Sequence, residues 1–128
     1  MSQIEFYDTR TRTRRPFAPI EPDRVRMYSC GPTVYGPPHI GNLRSRLFSD
    51  LLKRFLLSEG FEVVHVINIT DVGHLVSDAD EGEDKMEKGA RRTGKTAWEV
   101  AAYFTDAVVA DMERLHVEFP TVLCKAGS

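Results

Sequence analysis

Two cysteines in 128 residues are too few for a disulfide framework, and no apolar run comes near the length of a membrane span. The opening residues, MSQIEFYDTRTRTRR, contain no hydrophobic signal core. These absences point to a cytoplasmic, reducing setting without a membrane partner. There Cys30 and Cys124 serve as thiols or ligands in place of a bridge. In the same setting the sequon Asn68, Ile69, Thr70 carries no meaning. Internal repeats and low-complexity linkers are also missing, and so is a strong excess of one charge, with Lys and Arg at 17 and Asp and Glu at 19. That balance excludes a dedicated nucleic-acid binder, so no DNA partner is expected. The charge is nevertheless split unevenly. Residues 1–54 hold ten basic and five acidic side chains, and residues 55–128 hold seven and fourteen. The length fits a single domain with its own core.

Residues 4–7 read as a short strand, followed by a basic, polar turn through Arg15. Residues 25–28 alternate apolar and polar side chains and read as a strand that stops at the Cys30, Gly31, Pro32 break. A helix comes next. Leu43, Leu47, Leu51 and Phe55, flanked by Phe48, Leu52 and Leu56, recur at helical spacing, and Gly60 supplies the stop. The stretch FEVVHVINI at 61–69 is rich in β-branched residues and reads as a buried strand. Strand, helix and strand in that order predict a parallel βαβ unit with a right-handed crossover, an α/β fold. Residues 76–88 are acidic and polar and read as a loop running into a short helix. Thr96 and Glu99 form a capping box that opens a helix to about Leu115. Its apolar face is assigned to Trp98, Ala101, Ala102, Phe104, Val108, Val109, Met112 and Leu115. Pro120 closes the helix off, and residues 121–128 stop without an obvious structural end.

In parallel α/β sheets, ligands collect beyond the carboxyl ends of the strands. Here the first strand runs into residues 30–39 and the second into Thr70 and Asp71, so pairing of the two strands would turn both segments toward one crevice. His39 stands at the start of the first helix, where backbone N–H groups already attract phosphate. Gly41 lacks a Cβ and lets a nucleotide approach the backbone, and Asn42 can donate through its side-chain amide. The segment YSCGPTVYGPPHIGNLRS at 28–45 is thus a candidate nucleotide site.

The HIGN at 39–42 is similar to the HIGH element of class I aminoacyl-tRNA synthetases, with asparagine in place of the second histidine. MYSCGPTVYGPPHIGN, NITDVGH, DADEGEDKMEKGARRTGK and LHVEFPTVLCK together resemble the N-terminal part of cysteinyl-tRNA synthetases along nearly the whole chain. The resemblance implies the N-terminal half of a HIGH-type, Rossmann-like nucleotide-binding fold followed by a helical segment. It implies ATP-dependent activation of L-cysteine, with Mg2+ accompanying ATP, and transfer to tRNA(Cys). It makes Cys30 a zinc ligand, with Cys30, Gly31 and Thr70 contacting cysteine. Residues 32–42 become the ATP-binding element, through Thr33, His39, Gly41 and Asn42, of which His39 and Asn42 are catalytic. A soft thiolate suits zinc and a serine hydroxyl does not, which accounts for selecting cysteine at a metal. On the same resemblance, the other zinc ligands, the KMSKS loop and the tRNA-reading helical domain lie beyond residue 128. The chain is then a partial domain, expected to show little activity alone. Two alternatives stay open: the related ligase that joins activated cysteine to an amino sugar in mycothiol synthesis, and a non-catalytic, free-standing synthetase-like module. Families of this type often carry TDIDD where this chain has TDVGH, so Gly73 and His74 receive no role.

Other motifs point to less. Residues 89–96, GARRTGKT, match the P-loop pattern, but the segment before them is too charged for the buried strand a P-loop needs, so a basic turn is the better reading. Asp78, Asp80, Glu81, Glu83 and Asp84 lack the glycine offset of an EF-hand and read as a solvated loop. His65 and His116 read as structural, and Cys124 is no obvious zinc ligand.

Overall fold

A computed structural model describes residues 4–34, 36–71, 94 and 96–126. It holds a three-stranded parallel sheet in the order β3-β4-β5, a separate two-stranded hairpin β1-β2, and two long helices. The strands are β1 (Glu5–Asp8), β2 (Thr13–Pro16), β3 (Arg24–Ser29), β4 (Glu62–Ile69) and β5 (Val122–Lys125). The helices are α1 (Ile40–Ser58) and α2 (Ala97–Arg114). The expected strand–helix–strand unit is present as β3, α1 and β4. β3 and β4 run parallel, in register from Arg24 opposite Glu62 to Ser29 opposite Ile67.

Two expectations need correction. The basic turn after β1 is shorter than expected, because residues 13–16 form β2, antiparallel to β1 with Glu5 opposite Pro16. Arg12 turns the chain in the left-handed region (φ 55°), and Asp8 accepts from the Arg10 N–H and from Arg15. The tail also has structure: residues 122–125 form β5, parallel to β4 from Val66 opposite Val122 to Ile69 opposite Lys125. A four-residue strand is too short to show an alternation, and its pairing depends on a partner distant in sequence.

The ends of α1 are built from local chemistry. His39 is the N-cap, and beyond the C-cap Glu59 the glycine Gly60 takes φ +91°. Gly60 N–H donates to Leu57 O at 3.0 Å and Phe61 N–H to Leu56 O at 3.2 Å, a Schellman ending that turns the chain directly into β4. α2 opens with the expected capping box at Thr96 and Glu99. It ends the same way as α1, with His116 in the left-handed position (φ 54°) and Val117 N–H donating to Met112 O.

β4 buries Val63, His65, Ile67 and Ile69 on one face. Val25, Leu56 and Val63 form one cluster with Phe6, Phe17, Met27, Leu52 and Phe61, which joins the hairpin to the sheet and α1. Val34, Ile69 and Ala101 form a second, and Val108, Met112 and Val117 a third that reaches Leu47 on α1. The inward faces of the helices differ from the apolar spacing. Phe48, Leu51 and Phe55 are exposed on α1, and Trp98, Ala102 and Leu115 on α2 or at its end. On α1 the buried positions include Asp50 and Lys53. Asp50 accepts from Glu118 N–H at 2.9 Å and from Arg54, while Lys53 donates to Phe119 O at 2.9 Å and pairs with Glu118. These polar side chains satisfy the loop leading into β5, which is why they displace apolar neighbours from the interior.

Candidate functional site

The segments that leave the carboxyl ends of β3 and β4 stay joined. Past the last ladder pairs, Thr33 and Thr70 form a parallel bridge, with Val34 N–H donating to Thr70 O at 3.2 Å and Thr70 N–H to Pro32 O at 3.0 Å. Gly31 lies against β4 so closely that a Cβ there would sit 1.3 Å from the Asn68 carbonyl oxygen. The Asn68 side chain spans the junction. Its Oδ1 accepts from Gly31 N–H at 2.9 Å and its Nδ2 donates to Thr70 Oγ1 at 3.3 Å. The geometry therefore joins Gly31 to Thr70, the two non-thiol positions expected to contact cysteine.

At the start of α1, His39 Nδ1 accepts from Gly41 N–H at 3.1 Å, and His39 N–H donates to Asn42 Oδ1 at 3.2 Å. This reciprocal cap fixes the direction of both side chains. With Nδ1 acting as acceptor, the ring proton sits on Nε2, which is left as an outward donor. With Oδ1 occupied, the Asn42 amide presents its NH2 group. The ring also lies over Gly41, where a Cβ would be 3.0 Å from His39 Cε1, so a side chain at that position would crowd the histidine. Thr33, Pro37, Pro38, His39 and Asn42 line a cleft of about 250 Å³, with Val108 of α2 on its far wall. Thr33 is the link, lining the cleft and bridging to Thr70.

Cys30 is exposed with a free thiol, and its carbonyl accepts a hydrogen bond from Arg46 Nη2 on α1. Among the described residues, no group of three or more His, Cys, Asp or Glu side chains is placed to hold a metal ion. A zinc site needs about three or four protein ligands, so these residues do not by themselves fit the ion. Cys124 is half-buried in β5 with its Sγ directed to Ile67 O at 3.7 Å, a packing role. His65 is buried as a structural histidine, its Nε2 2.9 Å from Ser29 Oγ, and His116 ends α2. Burial, then the charges of Lys53 and Arg46, hold the His65 ring below the usual imidazole range, with Asp50 opposing them. Residues 73, 74 and 76–88, and the P-loop-like stretch apart from Gly94 and Thr96, lie outside the described residues.

The family described as the tRNA synthetases class I (C) catalytic domain matches residues 16–128. The chain belongs to that family. It is 58% identical over 123 residues to Cysteine--tRNA ligase 1 of Burkholderia lata, covering 96% of this chain and 26% of that protein. It is 50% identical over 119 residues to Cysteine--tRNA ligase of Zymomonas mobilis, covering 93% and 23%. It is 46% identical over 123 residues to Cysteine--tRNA ligase of Treponema denticola, covering 96% and 25%. The chain thus spans about a quarter of the length of these curated relatives.

Within this class I synthetase domain, two residues at the site escaped the sequence reading. Asn68 sits two positions before Thr70 in a strand, where its side chain alternates to the same side. That period-two spacing was the signal available. Arg46 looks like one more surface arginine on a helix, and only the packing of α1 on the sheet turns it inward. No described helix is long and apolar enough to cross a membrane.

Proposed function

We propose that the chain carries the cysteine- and ATP-handling part of a cysteine–tRNA ligase, as a partial domain of the HIGH-type nucleotide-binding fold. The observation that carries this reading is Thr33, which lines the cleft at the His39–Asn42 cap and also bridges to Thr70, the residue that Asn68 ties to Gly31. Membership of the class I (C) family and the names of the relatives favour it over the amino-sugar ligase and the free-standing module.

In the proposed reaction, a carboxylate oxygen of L-cysteine attacks the α-phosphorus of ATP. The bond from that phosphorus to the bridging oxygen breaks and pyrophosphate leaves; Mg2+ accompanying ATP would offset its charge. The His39 Nε2–H and the Asn42 amide, both oriented by the reciprocal cap, are the donors offered to the charge that grows on the phosphates at the positive end of α1. Gly41 keeps that approach clear. A terminal hydroxyl of tRNA(Cys) then attacks the carbonyl of cysteinyl-adenylate and AMP leaves. Thr70 and Gly31 contact the amino acid, positioned by Asn68. Cys30 would be one ligand of a zinc ion whose other ligands would come from outside the described residues. When bound, zinc would supply a soft centre for the substrate thiol. A cytoplasmic location accompanies the reading.

The test is ATP–pyrophosphate exchange by the full-length protein carrying this sequence. The reading requires exchange that depends on cysteine and is weak with serine. Exchange absent with cysteine, or equal with serine, contradicts it.

A further inference from the structure

The interface between α1 and the sheet holds a polar group that the proposed reaction does not use. Ser29 Oγ donates to Ser49 Oγ at 3.2 Å, so it accepts from Nε2–H of His65, and His65 Nδ1 remains buried without a partner. Arg46 joins this group from α1. Its Nη2 donates to the Cys30 carbonyl, and its Nη1 is buried and likewise unpartnered. The described ion pairs of α1 run through Lys53 and Arg54 and leave Arg46 out. Burial pushes its guanidinium below the usual arginine range.

A guanidinium half withdrawn from water, with one nitrogen buried and no carboxylate partner, carries a desolvation cost that a methionine in the same space would not. What the arginine adds is one directed, charge-assisted hydrogen bond to the backbone of Cys30. We infer that Arg46 is a positioning residue for the Cys30–Gly31 turn. It holds the turn from the α1 side while Asn68 holds it from β4. Arg46 lies on the helix whose first turn carries His39, so the same contact fixes the thiol of Cys30 relative to the phosphate-facing cap. The inference rests on the ligase reading for its consequence, because only there does the Cys30–Gly31 turn meet cysteine while the cap meets ATP. A contact serving stability alone would affect both substrates alike, whereas a positioning contact affects cysteine first.

The test uses Arg46→Met, Arg46→Gln and Arg46→Lys in the full-length protein, with cysteine and ATP titrated separately in pyrophosphate exchange. Arg46→Met is expected to raise KM for cysteine about tenfold, the size of one lost charge-assisted hydrogen bond, and to leave KM for ATP within about twofold. Arg46→Lys, which keeps a cationic donor, is expected to recover most of the loss. Arg46→Gln gives the same comparison if the methionine variant does not fold. Hydrogen exchange gives a readout free of activity: the hydrogen-bonded amides of Gly31 and Val34 lose protection in Arg46→Met while those of 48–58 keep theirs. Unchanged cysteine KM, equal losses for both substrates, no recovery by lysine, or unchanged exchange at Gly31 and Val34 overturns the inference. If the wild type shows no cysteine-dependent exchange, the ligase reading fails, and hydrogen exchange still decides whether Arg46 holds the turn.

Discussion

Gly31 approaches Asn68 so closely that a Cβ on the glycine would lie 1.3 Å from the asparagine backbone carbonyl oxygen. No rotamer change relieves that contact, because both partners are backbone. Gly31→Ala is therefore expected to destabilise the fold by at least about 3 kcal/mol, in the range reserved for steric conflict in a packed interior. Urea denaturation checks this, and a loss below about 1 kcal/mol would show that β3 and β4 part more easily than their pairing implies.

Asn68 replaces what Gly31 lacks in side chain. Asn68→Ala removes the partners of Gly31 N–H and Thr70 Oγ1, and a loss of about 2 kcal/mol is expected from two part-buried hydrogen bonds. Asn68→Asp keeps the acceptor for Gly31 but cannot donate to Thr70. It should retain more stability than the alanine variant and still raise KM for cysteine. Denaturation combined with cysteine titration separates the two effects.

His39 combines capping with the proposed phosphate contact, and substitution can divide them. Asparagine is a strong N-cap, so His39→Asn should hold stability within about 0.5 kcal/mol of the wild type. It removes the Nε2 donor, and exchange should fall by roughly 10²–10³, as for loss of one donor aimed at developing charge. A fall in exchange matched by an equal loss of stability would mean that the histidine only caps the helix.

His65 gives the protein a pH dependence of defined sign. Its folded pKa is depressed below the unfolded value of 6.5, first by burial and then by Lys53 and Arg46, against the opposing Asp50. Between those two values the unfolded chain binds the proton and the folded chain does not, so stability falls as pH drops through about 6.5. The limiting slope is about 1.4 kcal/mol per pH unit for one proton. Thermal melts from pH 7.5 to 5 should show the decline, and His65→Gln should flatten it.

Much of this was legible in the chain. The β-branched run before Thr70, the helix between two strands and the Thr96 box are local signals, and the parallel pairing of β3 with β4 follows from the first two. β5 was not legible, because Val122, Leu123, Cys124 and Lys125 become a strand only beside Val66–Ile69 of β4. The inward face of α1 was misread because apolar spacing favours Leu51 and Phe55. Asp50 and Lys53 go inside because the backbone of Glu118 and Phe119 needs them. At the candidate site, His39, Gly41 and Asn42 follow from the helix start and Gly31 and Thr70 from the family resemblance, and in the fold the two sets lie on connected elements. The connection itself, through Asn68 and Arg46, belongs to the packing.

The most direct measurement of the central claim is transfer of radiolabelled cysteine by the full-length protein, with ATP and Mg2+, to purified tRNA(Cys). The account predicts acid-precipitable cysteinyl-tRNA, dependent on ATP and lost in His39→Asn. Cysteine left uncharged, or delivered to an amino sugar in preference to tRNA, would contradict it.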